Sequence, residues 1–113
     1  MTPRSAADAA QAYFAAVNAR DAAAMREVFA PQGELVTPAG RVVGPDQIAA
    51  FYTRQAFAAE DLEAHPGPLL VDGNRVAVEI ELHMHGQRTR VADFFEVRDG
   101  LIQRLAVYLA GPA

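Results

Sequence analysis

Residues 88–98 read RTRVADFFEVR, and their alternation decides the fold. Thr89, Val91, Asp93, Phe95 and Val97 fall on one face of an extended strand, and Arg88, Arg90, Glu96 and Arg98 fall on the other. The preceding stretch, RVAVEIELHMH over residues 75–85, repeats the pattern. It sets Val76, Val78, Ile80, Leu82 and Met84 inward, with Arg75, Glu79, Glu81, His83 and His85 outward. Gly86-Gln87 joins these two strands as a hairpin turn. Asp99-Gly100 is a strong hairpin signal that leads into a third strand, Leu101 to Leu109, with Leu105, Val107 and Leu109 on one face. A weaker strand is expected within residues 61–71, broken near Pro66-Gly67-Pro68.

Upstream, the period changes from two to about 3.6. Ser5 is a good N-cap, with Asp8 three residues on. Ala6, Ala9, Ala10, Tyr13, Phe14 and Val17 then form one apolar stripe of a first helix. Asp21 caps a second helix carrying Met25, Val28 and Phe29, stopped by Pro31 and Gly33. A short strand over Glu34 to Thr37, a Pro-Ala-Gly turn and Arg41 to Val43 follow. Gly44-Pro45-Asp46 opens a third helix with Ile48, Phe51, Tyr52 and Phe57 as its large members. Three helices followed by an antiparallel meander is an α+β order. A curved antiparallel sheet wrapped over helices makes a cone with an apolar interior, and one domain is expected across residues 1–113.

Composition narrows the partners. The chain has 113 residues, 51% hydrophobic and 21% charged, with a net charge of −4. A weakly acidic surface has no general attraction for nucleic acid or anionic lipid, so neither is an expected partner. With no cysteine, thiolate metal sites, disulfides and cysteine nucleophiles are excluded together. Met1 to Ala10 does not read as a signal peptide, and no stretch approaches the roughly 20 apolar residues of a membrane span. A cytoplasmic location is the default expectation.

Asp93 is the residue that breaks the pattern, because alternation sets it on the apolar face between Val91 and Phe95. Slipping the register by one would expose Asp93 but would also turn four other inward residues to solvent. An unpaired buried carboxylate is costly, so its pKa rises and the group becomes a hydrogen-bond donor. Such perturbed acids concentrate at functional sites. The structural alternative is an Asp satisfied by a backbone amide or an Arg, or set on a bulge. Tyr13 lies on the inner stripe of the first helix and is either a second donor or a plain core aromatic. Together the two would stabilise negative charge developing on a ligand oxygen.

The run LVTPAGRVVGPDQIAAFYTRQA, Leu35 to Ala56, with GPDQIAAFY at Gly44 to Tyr52 as its most specific part, resembles the bacterial ketosteroid isomerases of the NTF2-like (SnoaL-like) superfamily. RVADFFEV, Arg90 to Val97, and DGLIQRLAVYL, Asp99 to Leu109, are similar to that family's closing strands. The resemblance covers about Ala12 to Leu109. It implies an NTF2-like cone, no cofactor, a small apolar ligand such as a steroid, and a homodimer formed through the sheets. It also implies an oxyanion hole made by Tyr13 and a protonated Asp93, with Tyr52 supporting Tyr13. The inward residues Val76, Val78, Ile80, Val91, Leu105, Val107 and Leu109, with Tyr52 and Phe29, are the expected binding wall.

Three positions depart from the family pattern. Its general base, an Asp before the Pro of the first hairpin, falls on Thr37, whose hydroxyl is far too weak to remove a carbon-bound proton. A Tyr of its hydrogen-bond network falls on Phe29, and a Trp near the base falls on Leu109. Glu34 should face away from Thr37, and His65 is the first of several poor substitute bases. His83 and His85 share a face two residues apart, but no third ligand is evident in the sequence, so no metal site is expected. Two functions follow. One is an isomerase-like enzyme whose oxyanion hole is retained and whose base is changed. The other is a non-catalytic module that holds a small apolar ligand. A purely structural role with a vestigial pocket is a third.

Overall fold

The computed structural model describes residues 3–113. Ser5 caps α1 (Ala6–Ala19) by accepting from the Asp8 N–H at 3.1 Å, and Asp21 caps α2 (Ala22–Val28) by accepting from Ala24 N–H at 3.0 Å. The inner stripe of α1 (Ala9, Ala10, Tyr13, Phe14 and Val17) is buried. Arg20 ends the helix in the left-handed region, and its guanidinium reaches the carbonyls of Ala59 and Glu60 at 2.9 and 2.8 Å. That ties the end of α1 to the segment that follows the third helix.

β1 (Phe29–Thr37) and β2 (Gly40–Val43) form an antiparallel hairpin. β1 begins five residues before the expected Glu34, so Phe29, expected on the second helix, opens the strand, and Pro31 and Gly33 lie within it. α3 (Pro45–Tyr52) starts at Gly44, whose φ of 92° disfavours side-chain-bearing residues, and continues as a π turn over Thr53–Phe57. The broken strand resolves into β3 (Glu63–Pro66) and β4 (Leu70–Asp72). β5 (Arg75–Met84), β6 (Gln87–Arg98) and β7 (Leu101–Pro112) are the three long strands. The strands run β2-β1-β7-β6-β5-β3, with β4 also beside β5.

The architecture is the α+β cone expected of an NTF2-like chain, with one correction. The sheet is mixed, because β1 runs parallel to β7, with Leu35 opposite Leu105 and Val36 opposite Ala106. Alternation reports which face a residue takes and is blind to strand direction, so it could not separate the two cases. Register shifts between β1 and β7 and at two places between β6 and β7 bend the sheet around α1. Gly33 sits at the first of these. A Cβ there would lie 2.9 Å from the backbone oxygens of both Ala30 and Ile102. Phe95, Met25, Leu35, Ile48, Ile80, Ile102, Leu105 and Val76 fill the core. Among the described residues no helix is long and apolar enough to cross a membrane.

Candidate functional site

The concave side of the sheet, α1 and α3 enclose a cavity of about 150 Å³. Of the residues singled out from the sequence, Tyr13, Thr37, Tyr52, Ile80, Val91, Asp93 and Val107 line it. Phe29, Val76, Val78 and Leu105 are buried in the core but do not reach the cavity. Leu109 stands opposite Val91 in the ladder, yet it is 60% exposed and outside the lining. Leu109 keeps the register of Val91, since the shift between Arg90 and Val91 lies beyond it. Alternation assigns its face but does not say how far along the strand the cavity reaches.

Asp93 is 3% exposed, on β6 between Val78 of β5 and Val107 of β7. Its Oδ1 has no hydrogen-bond partner among the described residues. Burial pushes its pKa up to about 7. The expected buried acid is therefore present, and neither an Arg nor a backbone amide satisfies that oxygen.

Tyr13 is held by edge-on contacts with Phe14, Phe29 and Phe95, at ring-centroid distances of 5.1, 6.3 and 5.5 Å. Phe29 thus backs Tyr13 rather than facing the cavity. The Tyr13 hydroxyl hydrogen-bonds with that of Tyr52. Both phenols have pKa values raised mainly by burial, with the nearby Asp93 carboxylate also opposing their ionisation. Near neutral pH both are therefore un-ionised O–H groups.

Thr37 reaches the wall with its hydroxyl already engaged. Oγ1 donates to the Gly40 carbonyl at 3.3 Å and accepts from the Ala39 N–H at 3.1 Å. Glu34 faces outward, between Arg41 and Arg104, which lower its pKa; the hydrogen bond from Arg41 is the largest cause. His65 lies on the outer face of β3, 52% exposed, with Nε2 2.9 Å from Glu63 Oε1. It does not approach the cavity. His85 sits in the β5–β6 turn with φ 53°, and its ring meets the Gln55 carbonyl, so it diverges from His83. Among the described residues Asp93 is the only carboxylate on the wall, and no imidazole lines it.

The sequence reading missed part of the wall. Phe14, Val17, Leu35, Phe51 and Leu62 add apolar surface, and the small Ala56 and Ala64 leave room. Gln55 is the further polar residue of the lining. The π turn sets it there, and an ordinary helical count through Thr53–Phe57 does not anticipate that geometry. β3 is fixed by Asn18 of α1, which donates to the Ala64 carbonyl at 3.0 Å and accepts from its N–H at 2.8 Å.

Comparison with known proteins agrees with the fold. A provisionally assigned polyketide cyclase from Sinorhizobium meliloti is 27% identical, with 88% of this chain and 93% of that one covered and a TM-score of 0.81. A provisionally assigned ketosteroid isomerase from Kribbella flavida is 23% identical, with 94% and 78% covered and a TM-score of 0.83. A protein with a ketosteroid isomerase-like fold from Catenulispora acidiphila, solved with trimethylamine, is 22% identical, with 96% and 86% covered and a TM-score of 0.79. No curated protein matches the chain. The SnoaL-like domain family matches residues 10–105, nearly the whole length described above, and the chain belongs to that family.

Proposed function

We propose that the cavity binds a small apolar molecule carrying one oxygen, a ring ketone or its enol, with that oxygen accepting from Asp93 in its acid form and from Tyr13. The observation that carries this is the unpartnered Oδ1 of Asp93, buried in a largely apolar cavity. A buried polar atom without a partner is unfavourable by about 1–3 kcal/mol, and a ligand oxygen would relieve that. Two donors fixed in a low-dielectric site would also favour enolate over ketone, which is the stabilising half of an allylic isomerisation. The proton-moving half lacks a dedicated base, since the Thr37 hydroxyl is committed to its own turn. The proposed chemistry is therefore ligand binding with at most slow enolisation.

Size argues for a ligand smaller than a steroid. Pockets that enclose drug-sized ligands begin at about 300 Å³, twice the volume of this one. A one- or two-ring compound fits inside, whereas a four-ring steroid would project past the exposed Gln55. We also propose a homodimer through the outer sheet face, where Phe94 (43% exposed) and Tyr108 (55% exposed) stack edge-on. Sedimentation equilibrium tests this, and a monomer at all concentrations overturns it.

Fluorescence titration with 2-naphthol, a two-ring phenol, tests the binding reading. Saturable binding that weakens at least about tenfold in both Asp93→Leu and Tyr13→Phe supports it. No binding, or binding indifferent to both substitutions, rejects it. A four-ring phenolic steroid titrated in parallel tests the size argument.

A further inference from the structure

The outer face of the sheet carries a cluster that the cavity does not use. β3 and β5 pair antiparallel with Glu63 opposite His83 and His65 opposite Glu81. All four side chains therefore rise from the same face of two neighbouring strands, with the histidines on one diagonal and the glutamates on the other. His65 Nε2 lies 2.9 Å from Glu63 Oε1, and His83 Nε2 lies 2.7 Å from Glu81 Oε2. The two imidazole rings are 4.8 Å apart between centroids. One ligand atom from each of Glu63, His65 and His83 lies within 4.8 Å of the others.

We infer that this checkerboard is a binding site for a divalent first-row transition ion, zinc in particular, held by His65, His83 and Glu63. Two imidazole nitrogens with one carboxylate oxygen form a ligand set well matched to zinc, and such a set leaves a position open for water or an outside ligand. Zinc–nitrogen bonds of about 2.0–2.1 Å need ligand atoms roughly 3.3 Å apart, so the remaining closure is about 1.5 Å. The partly exposed side chains of His65 and Glu63 can supply it by rotation without moving a strand. Glu81 contacts His83 and is placed to orient its ring or to enter as a fourth ligand. The facing positions on β6 are Arg90 opposite Glu81 and Arg88 opposite His83, and both act on Glu81 from that side. They offset part of the cluster's negative charge, so the site is expected to be moderate in affinity.

The location gives the ion a structural consequence. β3 is a four-residue strand at the end of the sheet order, and its Ala64 forms part of the cavity wall. Asn18 fastens β3 to α1 on the inner side. An ion across His65 and His83 would fasten it to β5 on the outer side.

The test is isothermal titration of the untagged, chelator-treated protein with zinc chloride, with cobalt chloride as the spectroscopic probe. The expected result is one ion per chain binding at micromolar concentration, visible cobalt d–d bands, and a zinc-dependent rise in unfolding temperature. His65→Ala and His83→Ala should each weaken binding by about tenfold or more, and Glu63→Gln by less. Arg75→Gln, at the opposite end of β5 from His83 and outside the cavity lining, should leave zinc binding unchanged. Absence of saturable binding up to millimolar zinc overturns the assignment. So does equal affinity in the His65→Ala/His83→Ala double variant, which would mean only diffuse binding by surface carboxylates.

Discussion

The hydroxyls of Tyr13 and Tyr52 hydrogen-bond to each other beside the cavity, linking α1 to α3 between side chains 39 positions apart whose rings also meet edge-on. Removing one oxygen leaves the other without this partner in a largely apolar place. Tyr52→Phe is therefore expected to lower stability by about 1–2 kcal/mol. It should also weaken binding of a phenolic ligand severalfold by loosening the Tyr13 hydroxyl. Urea denaturation and the same fluorescence titration check both effects.

Asp93 should make stability fall as pH rises. Its folded pKa of about 7 lies above the unfolded value near 3.9, so the folded chain holds a proton that the unfolded chain has lost. The contribution is fully present below pH 4 and is lost as pH rises through 7. Three units correspond to an upper bound on the order of 4 kcal/mol. Urea midpoints measured from pH 5 to pH 8 should decline in the native chain. The slope should flatten in Asp93→Asn, which cannot ionise. An equally steep decline in that variant would show that other groups cause it.

Asp93 also shows what could be read directly from the chain. Its burial followed from the neighbours at two-residue spacing, and so did the inner faces of β5 and β6. The caps at Ser5 and Asp21 were legible because a capping side chain acts within three residues. What escaped involved distant or irregular geometry. The parallel direction of β1 against β7, the extent of the cavity along β7 that leaves Leu109 outside it, and the π turn that turns Gln55 toward the cavity leave no periodic trace. The Glu63–His65–His83 group was invisible because β3 and β5 are read separately until their register is known. The sequence offered only His83 with His85, a pair set aside for want of a third ligand, and the turn that holds His85 separates those two.

Thr37→Asp should restore the missing half of the chemistry. The position lines the cavity, and a carboxylate there would be a base of useful strength, typically contributing about 10²–10⁴-fold. Isomerisation of a small β,γ-unsaturated ring ketone, followed by conjugated-enone absorbance, is expected to rise by about that factor. No gain, with naphthol binding intact, would show that the wall is not aligned for proton transfer at that point.

Gly33→Ala should be strongly destabilising for its size. The added Cβ meets two backbone oxygens at 2.9 Å, and neither can swing aside as a side-chain tip would. A loss of about 1–3 kcal/mol in denaturant unfolding is expected, since overpacking of this kind must shift the strand. The cost should appear without any change in the isolated helices.

The parallel contact of β1 with β7 has a consequence for how the chain is made. Glu34 and Arg104 meet across 70 positions of sequence, and β1's other strand neighbour, β2, is a short edge hairpin arm. During synthesis β1 leaves the ribosome long before β7 exists. Its pairing with β7 must wait until nearly the whole chain has emerged. The meander of β5, β6 and β7 closes short loops and can form early, whereas the step that inserts β1 closes a long one and should set the folding rate. The cavity wall at Leu35 and Thr37 is then completed last, so a chain shortened before β7 would lack both its central pairing and its pocket.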